Sequence, residues 1–263
     1  MNKNFKIAIT GAGNMGSAIV CGLAAGTKID PTNIAVSDIN KSNLERLQAA
    51  VPQITVATSN TEIVKNADLI ILAVKPYLVK QVCSEIKPLI DFDRQIIASL
   101  AAGVTFCEYE KYLSPSAALF RIIPNTAIAV RQSVTAVASL NATPEQEKLV
   151  LDIFDELGKT YLVSENQINA YMSLSSCGIA YALQYIRAAM LGGVELGIYP
   201  ETAKEIVMQT LRGAVELLAA QKSHPAAEID KITTPGGFTI KGLNEMEANG
   251  FTNAVIKGLK ASI

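Results

Sequence analysis

Apolar residues fall in short, strand-length runs through the first 163 positions and at helical spacing after them. Residues 5–10 form a β-branched run, and residues 17–26 carry the apolar positions of a buried helix ending at a glycine. Residues 33–38 read as a second strand, and a helix opens at 40–44. A short strand follows at 54–57, then a cap-like helix start at Ser59-Asn60-Thr61-Glu62. Residues 67–74 are almost continuously apolar, as in a strand covered on both faces, and end in Lys75-Pro76. Further strands are expected at 94–100 and 118–123, with an alternating run at 134–138 as the last major one. Repeated strand–helix units predict a parallel, doubly wound sheet. After Val163 the strand signals vanish, and helices are expected over 166–196, 200–221 and 239–249, punctuated by Pro200 and His224-Pro225. The expected division is an α/β domain over 1–164 and an all-α domain over 165–263, with the boundary near Ser164.

Composition sharpens this picture. Of the 263 residues 49% are hydrophobic and only 18% charged, with a mean hydropathy of +0.27, so extensive burial is expected, including burial at a subunit interface. The alanine- and leucine-rich helical half suits a homodimer core. A net charge of −1 offers nothing to a polyanion and excludes nucleic acid as the expected partner. Strand-like sequence from Phe5 leaves no secretory n-region or h-region. Cys21, Cys83, Cys107 and Cys177 have no C-x-x-C spacing and lie far in sequence from the single histidine, His224. Free thiols in a cytoplasmic protein, with no metal, are expected. Residues 168–186 carry no charge but include Asn169, Ser173, Ser175, Ser176 and Gln184; they read as a buried helix, not a membrane span.

Gly11-Ala12-Gly13-Asn14-Met15-Gly16 sits between the first strand and the first helix, the context that gives G-x-G-x-x-G its meaning. Gly11 permits the tight turn, Gly13 lets backbone approach a pyrophosphate, and Gly16 allows close helix–strand packing. The helix N-terminus then presents free N–H groups to the phosphates. Asp38 ends the second strand, where an acid bonds a ribose 2′-hydroxyl; Ser37, Asn40 and Lys41 could instead hold a 2′-phosphate, and Asp38 could equally be a helix cap. NADH and NADPH therefore both stay open. Ala73, Val74, Lys75 and Pro76 lie at the carboxyl end of a central strand and are expected beside the cofactor, although a solvated loop lysine is the plain alternative for Lys75. Small residues at Ala101 and Ala102 leave space for a nicotinamide and its ribose.

Thr233-Thr234-Pro235-Gly236-Gly237-Phe238-Thr239 is the sharpest feature of the helical half. Pro-Gly-Gly enforces a turn with exposed N–H groups, and Thr239 can cap or start the next helix. Such a turn suits a carboxylate; an ordinary interhelical turn is the alternative. Residues 175–185 hold no lysine, which disfavours alcohol oxidation because that chemistry needs a base for the hydroxyl proton. Reduction of an iminium has no such need, since its nitrogen is already protonated.

These motifs together resemble the pyrroline-5-carboxylate reductases. The resemblance covers nearly the whole chain through residues 11–16, Ala73-Val74-Lys75-Pro76, residues 101–104, Pro124-Asn125-Thr126, Ala180-Tyr181, His224-Pro225, residues 235–240 and Gly250-Phe251. It implies a Rossmann-type domain that binds NADPH or NADH, followed by a helical domain interlocking in a homodimer or a ring of dimers. Carried over by position, Asn60, Ala73, Lys75 and Ala101 or Ala102 resemble cofactor contacts. Thr233, Thr234, Gly236 and Gly237 resemble a carboxylate cradle, and Thr239 the catalytic hydroxyl that donates to the ring nitrogen. The implied reaction is reduction of 1-pyrroline-5-carboxylate to L-proline. The family's usual Ser-Gly-Ser-Gly-Pro-Ala-Tyr is Ser175-Ser176-Cys177-Gly178-Ile179-Ala180-Tyr181 here, its Asn-Thr-Pro is Asn125-Thr126-Ala127, and an acidic helix residue is Arg187. These departures keep two alternatives in view: a reductase of a related cyclic imine or keto acid, and a non-catalytic dinucleotide-binding sensor.

Overall fold

The apolar runs of the first half join in one sheet. The computed structural model describes residues 4–263. Among them are β1 (Ile7–Thr10), β2 (Ile34–Ser37), β3 (Thr55–Ala57), β4 (Leu69–Leu72), β5 (Ile96–Ser99), β6 (Ala118–Ile123), β7 (Ser133–Leu140) and β8 (Gly158–Leu162), in the order β3-β2-β1-β4-β5-β6-β7-β8. Helices α1 (Asn14–Ala24), α2 (Lys41–Ala50), α3 (Asn60–Val64), α4 (Val79–Ile86), α5 (Phe106–Tyr112) and α6 (Pro144–Phe154) connect the strands. The strand period of two divides the core. Ile7 and Ile9 of β1, with Leu69 and Ile71 of β4, join Ile19, Leu23, Leu47 and Phe154 on one face. Ala8, Ile70 and Leu72 join Val79, Cys83, Phe106 and Tyr109 on the other. Helices thus cover both faces, and this explains the almost unbroken apolar character of residues 67–74.

Two expectations for the sheet need correction. It is not wholly parallel: β7 runs antiparallel to β6, with Ile122 opposite Val137. The connection 124–132 is too short for a crossover, which takes about a dozen residues or more, so the chain turns back. Nor is the run at 134–138 the last strand, because β8 pairs parallel with β7 beyond it. That edge strand, Gly-Lys-Thr-Tyr-Leu, is mostly exposed and carries little apolar signal.

The predicted helix over 166–196 is interrupted. A turn of 3₁₀-helix at Glu165–Gln167 leads into α7 (Ile168–Tyr171), then a π-helical segment Met172–Cys177, then α8 (Gly178–Glu195). The Ser175 hydroxyl donates to the Tyr171 carbonyl at 2.7 Å, and Asn125 Nδ2 donates to the Ser175 carbonyl at 3.2 Å. Side chains thus take up carbonyls of the helical ladder, the usual setting of a π-bulge.

The chain divides into compact units at 1–176 and 177–263, so the expected boundary at 164 and the observed one differ by the segment 165–176. Glu165 shows what ties that segment to the sheet. Its carboxylate accepts from Arg121 Nη1 and from the Phe106 N–H, each at 2.7 Å, and the Arg121 side chain on β6 is only 6% exposed.

The second unit consists of α8, α9 (Pro200–Gln221), α10 (Pro225–Ile232), α11 (Phe238–Ala248) and α12 (Phe251–Lys260). Of these, α10 and α12 had not been anticipated as separate helices. The expected buried helix is a further correction. Ile168 and Ser173 are buried in the first unit, but α8 contains no buried residue, and Ala203 is the one buried apolar residue past Ser176 among the described residues. Roughly 90 residues of helix bury too little within one chain to make a core of their own.

Glu165→Ala leaves the Arg121 guanidinium buried without its counter-charge. We expect the unfolding free energy in a denaturant titration to fall by roughly 2–3 kcal/mol, discounted for the part-exposed carboxylate, and Glu165→Gln to lose less. A loss under about 0.5 kcal/mol would show that this pair does not anchor the segment.

Candidate active site

A cavity of about 1060 Å³ opens at the carboxyl ends of the parallel strands, where doubly wound sheets bind ligands. Its lining gathers Gly11, Gly13, Asn14 and Met15 from the glycine loop, Ser37 and Asp38 from the end of β2, and Asn60 from α3. Ala73, Val74, Lys75 and Pro76 follow β4 in the lining, and Ala101 and Ala102 follow β5. Of the expected cofactor residues only Ala12 and Gly16 lie behind this surface, both buried.

The loop geometry follows from close backbone contacts. Gly11 has φ +106° and donates its N–H to the Ser37 carbonyl at 2.7 Å; a Cβ there would lie 2.6 Å from the Ala73 carbonyl oxygen. A Cβ on Gly16 would lie 2.0 Å from the Gly11 carbonyl oxygen, so loop and helix pack at a distance only glycine allows. Gly13 has open space above its Cα. It is also the N-cap of α1, with no side-chain cap, so the first N–H groups of that helix are donors for an anion.

Asp38 is not the cap of α2. That place belongs to Asn40, whose Oδ1 accepts from the Ser42 N–H at 3.0 Å. The Asp38 carboxylate instead accepts from the Ala12 N–H and the Asn40 N–H, each at 2.7 Å. Beside it the Ser37 hydroxyl donates to Asn60 Oδ1 at 2.7 Å, and Asn60 Nδ2 donates to Glu85 at 2.9 Å. Lys75 is exposed at the start of the turn Pro76–Leu78. On the β5 side the Ala101 N–H donates to Ser99 Oγ at 3.2 Å, and Ser99 is hydrogen-bonded to the Tyr109 hydroxyl. Burial raises the Tyr109 phenol above its ordinary range and pushes the Cys83 thiol up to about 12, so neither ionises near neutral pH. The four cysteines are free, and no group of three or more metal-ligating side chains occurs among the described residues.

The helical unit carries the second expected site. His224 caps α10, its Nδ1 accepting from the Ala226 N–H at 3.2 Å. The Thr233 hydroxyl donates to the carbonyls of Ile229 and Asp230, both at 3.2 Å, so in this conformation its proton is committed to the end of α10. Gly237, not Thr239, is the N-cap of α11, and its N–H donates to the Thr234 carbonyl at 2.9 Å. Thr239 is the second residue of α11 and is exposed, as are Thr234 and Gly236. Around the turn, the first-turn N–H groups of α11 and the hydroxyls of Thr234 and Thr239 are on hand for a carboxylate.

A family model described as pyrroline-5-carboxylate reductase dimerisation matches residues 165–263, and one described as NADP oxidoreductase, coenzyme F420-dependent, matches 6–103. The pyrroline-5-carboxylate reductase of Methanosarcina acetivorans is 36% identical over 265 residues, covering 99% of this chain and 97% of that one. The chain belongs to the pyrroline-5-carboxylate reductase family. Pyrroline-5-carboxylate reductase 1 of Dictyostelium discoideum is also 36% identical, over 97% of this chain; the chain spans about half of that protein's length, 48%. The crystal structure of Plasmodium falciparum pyrroline carboxylate reductase with NADP bound superposes with a TM-score of 0.90 at 28% identity, covering 99% of this chain and 96% of that one.

The family's departures now have positions. Ser176 and Cys177 fall in the π-helical segment, and Ser176 lines the cavity with Met172. Arg187 is exposed on α8. Sequence reasoning missed Leu78, Gln81, Val82 and Glu85, which also line the cavity. Their i, i+3, i+4, i+7 spacing after Lys75-Pro76 was the available signal for one helix face.

Gly11→Ala would force a side chain into the Ala73 carbonyl at a φ that alanine disfavours, a strain of about 1–3 kcal/mol. We expect dinucleotide affinity, measured by calorimetric titration, to fall by roughly tenfold or more while the far-ultraviolet circular dichroism is kept. Unaltered affinity would mean that the loop geometry does not set phosphate binding.

Proposed function

We propose that this chain reduces 1-pyrroline-5-carboxylate to L-proline with NADPH or NADH. The observation that carries this reading is the end-to-end match to a pyrroline-5-carboxylate reductase. The cavity fits the cofactor: a dinucleotide-sized space, open N–H donors at the start of α1, and small residues at Ala101 and Ala102. A bound reduced nicotinamide supplies hydride to the imine carbon, while the protonated ring nitrogen becomes the amine of proline. The protein contributes position and charge. Backbone N–H groups of Gly236 and of the first turn of α11, with the Thr234 hydroxyl, hold the substrate carboxylate, and the Thr239 hydroxyl orients the protonated ring nitrogen by accepting from its N–H, not by donating to it. Thr233 supports the turn through its bonds to α10 and bears on the carboxylate only if its hydroxyl rotates. Held in this way, the imine needs no strong acid from the protein.

The exposed apolar residues of the helical unit, among them Leu183, Leu191, Val215, Leu217 and Ile256, support a homodimer built through that unit, either alone or as the repeat of a ring. The described residues contain no helix long and apolar enough to cross a membrane, and a cytoplasmic location suits the free thiols. Ser176, where the family usually has glycine, favours one second reading, a related cyclic imine or keto acid as substrate.

Incubation with pyrroline-5-carboxylate and either cofactor is expected to give proline and loss of the reduced-nicotinamide absorbance. No turnover with either cofactor, alongside turnover of another imine in a substrate panel, would move the assignment to the second reading. Thr239→Ala should lower kcat by roughly tenfold to a hundredfold, the worth of a hydrogen bond to a charged group, and change the cofactor Kd by less than about twofold. Unchanged turnover in that variant removes Thr239 from the chemistry.

A further inference from the structure

NADH and NADPH differ only by a phosphate on the adenosine ribose, so the choice between them falls to the few groups at the end of β2. We infer that this chain selects NADH and rejects the 2′-phosphate through a pinned Asp38 carboxylate. This rests on the dinucleotide reading of the cavity and deepens it.

Three donors hold the carboxylate. Oδ2 accepts from the Ala12 N–H at 2.7 Å and from Asn43 Nδ2 at 3.4 Å, and Oδ1 accepts from the Asn40 N–H at 2.7 Å. A carboxylate has about four lone-pair sites, so three are occupied by the protein and one is left for a ribose hydroxyl. The donors come from the glycine loop and from the start of α2. Turning Asp38 aside for a phosphate would therefore unfasten both.

Of the neutral groups that could have received a phosphate, Ser37 and Asn60 are committed elsewhere. The Ser37 hydroxyl donates to Asn60, and Asn60 Nδ2 donates to Glu85. Asn40 turns its Oδ1 to the N–H and hydroxyl of Ser42, which leaves its Nδ2 as a neutral donor that brings no charge to offset a phosphate. Ile39, the next side chain in the lining, is apolar. The charged residues of the lining are Asp38, Glu85 and Lys75, with no arginine among them, and Lys75 belongs to the loop after β4, not to the end of β2. Lys41 opens α2 but is not in the lining. A 2′-phosphate of charge about −1.5 to −2 would meet a fixed carboxylate with no guanidinium to offset it. In a part-exposed site that repulsion amounts to a tenfold or larger difference in affinity, and salt weakens it.

The test is calorimetric titration of the full chain, wild type and Asp38→Asn, with four probes: NADH, NADPH, AMP and adenosine 2′,5′-bisphosphate. The asparagine removes the charge and keeps an oxygen for the Ala12 N–H. We expect the wild type to bind NADH and AMP at least about tenfold more tightly than their 2′-phosphorylated counterparts, and Asp38→Asn to bring both ratios within about threefold. Raising the salt from about 0.05 to 0.5 M should narrow the wild-type ratios in the same direction, a readout that needs no variant. Wild-type ratios near one, reversed ratios, or ratios unmoved by both the variant and salt overturn the inference and leave the reductase assignment standing. Failure of all four probes to bind overturns the dinucleotide reading along with it.

Discussion

The contact between Gly11 and the Ala73 carbonyl governs the first unit. It joins the loops after β1 and β4 more tightly than any side chain would permit. Because β1 and β4 are neighbours, with Thr10 opposite Leu72, this contact fixes the floor of the crevice and aims the start of α1 across it. Asp38 fastens the third neighbouring strand end to the same loop through the Ala12 N–H. Backbone contacts at the ends of three strands, together with the Asp38 carboxylate, thus define the floor of the cavity, and this rigidity is what an anion site built from N–H groups requires.

The two units obtain stability by different routes. The first has a sheet covered on both faces and two buried clusters, so it forms its core within one chain. The helical unit leaves Leu183, Leu191, Val215 and Leu217 exposed and buries Ala203 alone among its apolar residues. Its helices form because their local periods favour them, yet their apolar faces want a partner that the chain itself does not supply. A second copy is the partner consistent with the family model matched by residues 165–263.

The glycine loop, the strand ends and most of the cavity lining were legible from residue order, since turn-forming glycines and apolar runs act over a few neighbours. Two things were harder to read. β8 was hidden because an exposed edge strand needs no apolar face, and the π-helical segment because its cause, Asn125 reaching the Ser175 carbonyl, lies 50 positions away in sequence. The role of Asp38 was readable only as a choice between ribose contact and cap.

By itself, then, the sequence determined most of the element types, the glycine loop and the change from sheet to helix, because strand and helix periods and the lack of a Cβ are local properties. Only the tertiary structure decided the π-helical segment, the attachment of residue 165 to the sheet and the partners of Asp38. Each of these depends on which distant groups meet: Arg121 with Glu165, Ala12 with Asp38, Asn125 with Ser175. A charged or polar group that is taken from water must find its counterpart wherever packing has placed one, and that position is not written in the residues beside it.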